Sequence, residues 1–254
     1  MGRSLQAGGI GIVLVFMAAA VASAKPCDDL KGMKVSGGTV VAAARVDNGM
    51  IPGGRGGAAA PATPLPRFCR VSVVLSSGPG STINVEIWLP DAAQWNGNFL
   101  GTGNGGFAGS ITTGALVTGL RSYYATANTD MGTAEVNGNY NSGVGKPEII
   151  KDWGWRSTHA MTLAGKEITR AYYEEPIKKS LFSGCSTGGH QALMEAQRFP
   201  EDYDGILAGA AGNNRIGLHL AFLYYTRVAQ DTPGYWFSPA QATAIRRAVI
   251  ARGT

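Results

Sequence analysis

The sequence predicts an α/β fold in which a mostly parallel sheet has an antiparallel edge formed by its N-terminal strands. Residues 68–75 and 83–89 alternate apolar and polar side chains around a turn at 77–81, which predicts a hairpin. Further along, residues 179–210 read as strand, helix and strand, the order of a parallel unit. These two patterns place antiparallel strands before parallel ones.

Composition and the first residues indicate an exported globular protein. Of the 254 residues, 44% are hydrophobic and 15% are charged. Arg3, the apolar run that follows it and the A-x-A pattern at 22–24 predict a cleaved signal peptide over residues 1–24, with an N-terminal membrane anchor as the alternative. We therefore expect a secreted or periplasmic protein that has no membrane contact after cleavage. The net charge of +5 is scattered and has no basic cluster typical of nucleic-acid binding.

The remaining elements follow in order along the chain. After a loop rich in Gly, Ala and Pro at 49–66 and the hairpin, a short strand at 98–100 leads into the glycine-rich stretch GTGNGGFAG. The predicted secondary structure then comprises a β-rich segment at 122–127, a helix from Trp155 to Tyr172, a strand at 179–183, a one-faced helix at about 188–198 and a buried strand at 203–210.

Ser186 lies in a G-x-S-x-G string between the predicted strand at 179–183 and the helix that follows it. Because the chain has 37 glycines, such a string can occur by chance, so the string alone is weak evidence for a nucleophile. The alternative is a plain glycine-rich turn. Its position between a strand and a helix is what a nucleophile elbow requires, so we predict that Ser186 is a nucleophile. The backbone N–H of Thr187 and a donor from Gly105 or Gly106 are the candidate oxyanion hole, although a flexible surface loop is the other reading of the glycine stretch.

None of the three histidines is a convincing base by sequence. His190 lies one turn after Ser186 on the same helix and is expected to pack or hydrogen-bond, and His159 is expected to be structural. His219 lies among apolar residues and is expected to be a core histidine. No spacing of His or carboxylate side chains fits a metal site, so we predict no metal and no cofactor in this chain.

Several stretches resemble one family of secreted α/β hydrolases. They are GCSTGGHQ at 184–191 with AQRFPEDYDGILAGAA at 196–211, QWNGNF at 94–99, TDMG at 129–132, and the R-x-x-H helix from Arg156 to Tyr173. Together they resemble the tannase and feruloyl esterase family, and the resemblance spans about residues 27 to 250.

The resemblance implies an α/β-hydrolase core and a set of roles. Ser186 would be the acyl-forming nucleophile, with the N–H of Thr187 and the loop at Gly105 and Gly106 as the oxyanion hole. In the family, the cysteine before the serine bonds to a cysteine beside the catalytic histidine, so the partner of Cys185 would be absent from this chain. Cys27 and Cys69 would then form a disulfide. The family's lid usually binds calcium, in a part that this sequence does not contain.

The sequence departs from the family in three places. It has Gly-Ala-Ala-Gly at 209–212 where the family usually has G-A-P-A, Asn-Asn-Arg at 213–215 where a tryptophan often appears, and it stops at Thr254. We therefore expect residues 25–212 to be the N-terminal part of the catalytic domain. Residues 213–254 would be the connection into, or the start of, a truncated lid.

The predicted function is that of a secreted serine hydrolase for galloyl or feruloyl-type esters, with a small aromatic ester as its only expected partner. The chain would be incomplete and inactive, because the family's catalytic Asp and His would lie outside it. The alternatives are a serine peptidase on the same scaffold, a non-catalytic module that binds phenolics, or a non-functional fragment.

Overall fold

A computed structural model describes residues 24–47, 65–134 and 143–253 of the chain. The predicted signal peptide, apart from Ala24, lies outside these residues, as does nearly all of the loop predicted at 49–66. Neither prediction is therefore addressed by the structure.

A single sheet of eight strands organises the described residues, in the order β1-β2-β3-β4-β6-β5-β7-β8. Strands β1 to β4 pair antiparallel, as do β4 and β6, whereas β6, β5, β7 and β8 pair parallel. This arrangement confirms the α/β fold with an antiparallel N-terminal edge. The strands are β1 (Lys34–Val35), β2 (Gly38–Val46), β3 (Phe68–Leu75), β4 (Ile83–Pro90), β5 (Asn98–Thr102), β6 (Ala125–Thr129), β7 (Lys179–Cys185) and β8 (Gly205–Gly209).

Six α-helices lie among these strands. They are α1 (Thr113–Arg121), α2 (Pro147–Lys151), α3 (Ser157–Tyr173), α4 (Thr187–Arg198), α5 (Arg215–Asp231) and α6 (Pro239–Arg252). A π-helical turn, Asp152–Arg156, joins α2 to α3. The sequence predicted α3, α4 and the hairpin β3–β4, whereas β1, β2, α1, α2, α5 and α6 were not predicted from it.

The core lies on both faces of the sheet, as the alternation of β4 requires. Ile87 and Leu89 belong to the large apolar cluster that includes α3, whereas Trp88 packs in a second cluster with Phe68 and the apolar face of α1. Because both faces of β4 are covered, almost every residue of this strand is buried.

Two of the three cysteines form a disulfide and the third is a free thiol, as the family resemblance implies. Cys27, in a short 3₁₀ helix, forms a disulfide with Cys69 of β3, which confirms that pairing. Cys185, the last residue of β7, is an exposed free thiol.

Among the residues that the structure describes, no helix is both long enough and apolar enough to cross a membrane.

Candidate active site

Ser186 lies in the sharp turn between β7 and α4, at the carboxyl end of the parallel strands. Its backbone has φ +62° and ψ −116°, a conformation that costs a non-glycine residue energy and therefore needs support from its surroundings. That support includes a hydrogen bond from the Ser186 N–H to the Gly209 carbonyl (3.0 Å), and two bonds to the Ser186 carbonyl from the N–H groups of His190 (3.1 Å) and Gly212 (3.2 Å). The turn is therefore held by β8 and by the first turn of α4.

Glycines around this turn are required by close backbone approach. A Cβ added to Gly184 would lie 2.2 Å from the Gly188 carbonyl oxygen, and one added to Gly103 would lie 2.4 Å from the Gly188 Cα. A Cβ on Gly189 would lie 2.4 Å from the Gly209 carbonyl oxygen. Any side chain at these positions would push β7, α4 and the loop after β5 apart, which gives the glycines of the elbow their structural reason.

The loop after β5 is fastened to the first turns of α4. Gly188 donates its N–H to the Asn104 carbonyl (2.7 Å), and Asn104 donates its own N–H to the side chain of Gln191 (2.8 Å). The Thr187 hydroxyl donates to the Gly106 carbonyl (2.5 Å). The loop and the Ser186 turn are thus one connected unit.

A cleft of about 430 Å³ opens beside Ser186, which is itself exposed. Gly106 lines this cleft with Ser186 and Thr187, whereas Gly105 is not among its lining residues. The other lining residues are Phe107, Ala210, Ala211, Gly212, Arg215, Leu218, His219 and Phe222. The N-terminus of α4 also faces this region, where helix N–H groups lack intrahelical partners and favour negative charge.

The three histidines have different surroundings. His159 contacts Asp202 (Nδ1 to Oδ2, 2.6 Å), and the Nε2 of His190 is 3.1 Å from the Gly154 carbonyl oxygen. Burial lowers the pKa of His190. Both therefore have the structural contacts that the sequence led us to expect.

The expectation for His219 was wrong. His219 is exposed and lines the Ser186 cleft, with its Nδ1 2.6 Å from the Arg215 carbonyl oxygen. The apolar neighbours that suggested a core position, among them Leu220 and Phe222, are themselves exposed on α5. An apolar sequence neighbourhood did not produce burial here, because α5 packs little of its surface against the sheet.

A buried polar cluster lies elsewhere, where α3 and α4 meet the short 3₁₀ helix Pro200–Asp202. Ligand-type atoms of His159, Glu195 and Asp202 lie within 4.8 Å of one another, and Lys166 donates to the Asp202 carbonyl. Burial and the adjacent Asp202 carboxylate raise the pKa of Glu195 to about 8. A histidine nitrogen and an ammonium group do not fit the all-oxygen ligand set of calcium, so we assign no calcium to these residues.

Sequence reasoning missed two residues beside the cleft, Trp153 and Arg215, whereas Phe107 belongs to the glycine-rich loop that it did place there. Phe107 stacks on Trp153 with ring centroids 5.6 Å apart, and the guanidinium of Arg215 lies 5.1 Å from the Trp153 ring centroid. Trp153 comes from the π-helical turn, a feature that periodicity does not reveal. The position of Arg215 could have been predicted, because it follows β8 closely in the sequence. The carboxyl ends of the parallel strands β7 and β8 meet at one edge of the sheet, which places the residues after β8 near Ser186.

An exposed serine in a strained strand–helix turn, on a parallel sheet with an antiparallel edge, defines the class of the protein as an α/β hydrolase fold. The family model for tannase and feruloyl esterase matches residues 69–253. The chain therefore belongs to the tannase and feruloyl esterase family.

Individual relatives agree with this assignment. The chain is 38% identical over 171 residues to a probable feruloyl esterase B-2 of Aspergillus flavus, a match that covers 65% of this chain and 32% of the relative. It is 37% identical over 170 residues to a probable feruloyl esterase B of Aspergillus niger, covering 66% and 32%. The chain thus spans about a third of the length of these relatives.

Solved structures are also similar. The crystal structure of feruloyl esterase B from Aspergillus oryzae superposes with a TM-score of 0.68 at 31% identity, covering 76% of this chain and 38% of that one. A tannin acyl hydrolase from Aspergillus niger, at 23% identity and a TM-score of 0.56, shares the fold.

Proposed function

We propose that this chain carries the nucleophile and the oxyanion hole of a serine hydrolase for esters of aromatic acids. The observation that carries the proposal is the strained Ser186 turn, which opens on a cleft that Gly106 also lines. Family membership and the feruloyl esterase relatives support the substrate class.

In this proposal the Ser186 oxygen attacks the ester carbonyl carbon, the bond to the alcohol oxygen breaks, and the alcohol leaves with the proton that Ser186 has lost. Water then hydrolyses the acyl-enzyme, which releases the aromatic acid and restores the Ser186 hydroxyl. The N–H of Thr187, at the start of α4, and a loop N–H hold the oxyanion. We assign the loop donor to Gly106 rather than Gly105, because Gly106 lines the cleft and its carbonyl is fixed by the Thr187 hydroxyl.

The proposal leaves the base and its acid unassigned within the described residues. His159 has a carboxylate partner, Asp202, but is not among the residues that line the Ser186 cleft. His190 contacts the Gly154 carbonyl, and His219, which does line the cleft, contacts a carbonyl rather than a carboxylate at its Nδ1. A histidine base needs an acidic partner to orient it and to stabilise its charged form. We therefore propose that residues 24–47, 65–134 and 143–253 lack the family's catalytic Asp and His, and that the chain by itself hydrolyses esters poorly.

A non-catalytic module that binds phenolics is the second candidate, favoured because no described histidine at the Ser186 cleft is oriented by a carboxylate. The Cys27–Cys69 disulfide supports a secreted or periplasmic location for either candidate, since such bonds persist in oxidising compartments.

A fluorophosphonate probe separates the two candidates. We expect covalent labelling of Ser186, seen by mass spectrometry and absent in Ser186→Ala, together with slow Ser186-dependent turnover of methyl ferulate. Absence of labelling in the folded protein favours the binding module. Turnover of peptides in preference to esters contradicts the esterase assignment, and turnover at ordinary enzymatic rates contradicts the absence of a base.

A further inference from the structure

Gln191 is a buried amide on α4 that faces the loop after β5. Its side-chain oxygen (Oε1) accepts the main-chain N–H of Asn104 at 2.8 Å. Its amide nitrogen (Nε2) donates to the Asn104 side-chain oxygen at 3.2 Å and to the Thr158 hydroxyl of α3 at 2.9 Å. Because Gln191 contacts both the main chain and the side chain of Asn104, it fixes the orientation of this residue as well as its place.

Asn104 is itself buried and is the residue through which the loop is joined to its surroundings. Its amide nitrogen donates to the Thr129 carbonyl at 2.7 Å and lies 3.3 Å from the side-chain oxygen of Asn128, both at the end of β6. Its carbonyl accepts the Gly188 N–H of α4. Asn104 therefore links the loop to β6 and α4 and, through Gln191, to α3.

The two residues after Asn104 lack comparable support from packing. A Cβ added to Gly105 or Gly106 would meet no atom of the described residues within 4 Å, apart from the adjacent residues. Glycine has the largest backbone freedom of any residue, so two in succession do not hold a direction by themselves. The direction of the Gly106 N–H therefore depends on the hydrogen bonds at Asn104 and on the bond from the Thr187 hydroxyl to the Gly106 carbonyl.

An oxyanion hole stabilises the transition state only if its donors are in place before the reaction. The loss of one donor typically slows catalysis by about 10²- to 10³-fold, and a donor that is poorly held loses part of the same effect. A buried amide is costly unless it is hydrogen-bonded, and Gln191 is satisfied by the loop that carries the candidate donor.

We propose that Gln191 is a positioning residue of the oxyanion hole, which holds Asn104 so that the Gly106 N–H is directed at the oxyanion formed when Ser186 attacks. The inference rests on the proposed function, since it concerns the same oxyanion hole. Gln191 is not among the residues that line the cleft, so it acts through Asn104 rather than on the substrate.

The test substitutes Gln191→Met, which keeps the length of the side chain and removes its three hydrogen bonds. Two rates are measured on the full chain: fluorophosphonate labelling of Ser186, which builds negative charge on an oxygen in the oxyanion hole, and iodoacetamide alkylation of Cys185. Cys185 is exposed and adjacent to Ser186, and its alkylation needs no oxyanion hole. We expect Ser186 to be labelled about 10- to 100-fold more slowly and the rate at Cys185 to stay within about twofold of wild type.

Thr162→Val is the matched control. Thr162 is buried on α3 and bonds to the Thr158 carbonyl and the Tyr203 hydroxyl, so its substitution also removes buried hydrogen bonds, neither of which reaches the loop after β5. Its Ser186 labelling should stay within about twofold of wild type. All rates are measured at a temperature at which circular dichroism shows each variant to be folded.

Three outcomes overturn the proposal. The first is wild-type labelling of Ser186 in Gln191→Met, and the second is an equal slowing of the Cys185 reaction, which would mean a general change in access. The third is equal slowing of Ser186 labelling in Thr162→Val, which would mean that labelling follows stability alone.

Hydrogen exchange of residues 103–107, followed by mass spectrometry, separates this inference from the proposed function because it does not require a nucleophile. We expect exchange about 3- to 10-fold faster in Gln191→Met, the effect of losing a hydrogen bond, and no change in Thr162→Val. Equal labelling of wild type and Gln191→Met overturns the role of Gln191 and leaves the esterase assignment intact. If the folded wild type is not labelled, the nucleophile is contradicted. Faster exchange in Gln191→Met then supports Gln191 as the residue that holds the loop, and unchanged exchange overturns it.

Discussion

Helices α4 and α5 occupy equivalent places in the chain, since each follows a parallel strand and begins at the Ser186 cleft. Half of the twelve residues of α4 are buried, including the pair Gly188 and Gly189 and the polar residues Gln191 and Glu195. On α5, Ala229 alone is buried among the described residues, while Phe222, Leu223, Tyr224 and other large apolar side chains are exposed.

The difference teaches that apolar content does not by itself bury a helix. Helix α4 is buried because its glycines let the backbone approach β7, β8 and the loop after β5 within contact distance. Helix α5 has the more apolar side chains but no described element covers them. Large exposed apolar patches commonly mark interaction surfaces. The contrast supports the prediction, still untested, that residues 213–254 belong to a different part of the protein from residues 25–212.

The largest expected effect is that of Gly184→Ala in the packed region. Its Cβ would lie 2.2 Å from the Gly188 carbonyl oxygen, and neither backbone can retreat without separating β7 from α4. We expect a loss of more than about 4 kcal/mol of unfolding free energy, or failure to fold, together with loss of fluorophosphonate labelling. Chemical denaturation measures the effect.

The matched control for this change is Gly114→Ala in α1, where an added Cβ meets nothing within 4 Å. Alanine is the better helix former, so the stability of this variant should be unchanged or slightly higher. Equal destabilisation by both variants would contradict the close-packing explanation of the elbow.

Removing the Cys27–Cys69 disulfide should be nearly as damaging. The bond joins residues 42 positions apart, and in the chain-entropy model it stabilises the fold by about 3–4 kcal/mol. We expect the double variant Cys27→Ala/Cys69→Ala to unfold at a correspondingly lower denaturant concentration. Cys185→Ser, which changes an exposed free thiol, should keep the wild-type midpoint. The contribution assigned to the bond is wrong if all three proteins unfold together.

The buried face of α4 should make stability depend on pH. The pKa of Glu195 is raised from 4.5 to about 8, first by burial and then by the nearby Asp202 carboxylate. The positive charge of Lys166 offsets part of this rise. Between pH 4.5 and about 8, Glu195 is deprotonated in the unfolded chain and protonated in the folded chain. Its contribution to the free energy of unfolding therefore falls as pH rises, and it stops falling above about pH 8. The loss is on the order of a few kcal/mol.

Glu195→Gln removes this titration, so its stability relative to wild type should increase from about pH 5 to about pH 8. Denaturation curves measured across this range test the prediction. Glu201→Gln changes an exposed neighbouring carboxyl and should follow the wild-type profile. Parallel profiles for wild type and Glu195→Gln would show that Glu195 titrates normally.

The smallest effect is expected for Leu223→Ala on α5. This side chain is 59% exposed, so its truncation should change the unfolding free energy by no more than about 0.5 kcal/mol. Ile168→Ala on α3, where the side chain is fully buried, should cost about 2–5 kcal/mol. A large loss for Leu223→Ala would mean that α5 is packed in solution, for example against a second copy of the chain. Measuring whether the stability loss of Leu223→Ala depends on protein concentration would test that explanation.

Much of the fold followed from local patterns. The alternation of β3 and β4 and the spacing of α3 and α4 reflect side-chain periods that a single segment displays. Some elements were not predicted because no regular alternation or helical spacing of apolar residues was recognised in their stretches. These are β1, β2, α1, α2, α5 and α6. The elbow was predicted because a nucleophile on a strand–helix turn demands small residues at fixed offsets from Ser186.

The sequence by itself determined the elements around Ser186 and, through the family's motifs, the pairing of Cys27 with Cys69. Only the tertiary structure decided which residues share the cleft. It brought Gly106 rather than Gly105 to Ser186, exposed His219, and placed Arg215 over Trp153. The reason is physical: a period of 2 or 3.6 residues reports which side of an element is apolar, but proximity between elements depends on strand order and on how closely their backbones approach.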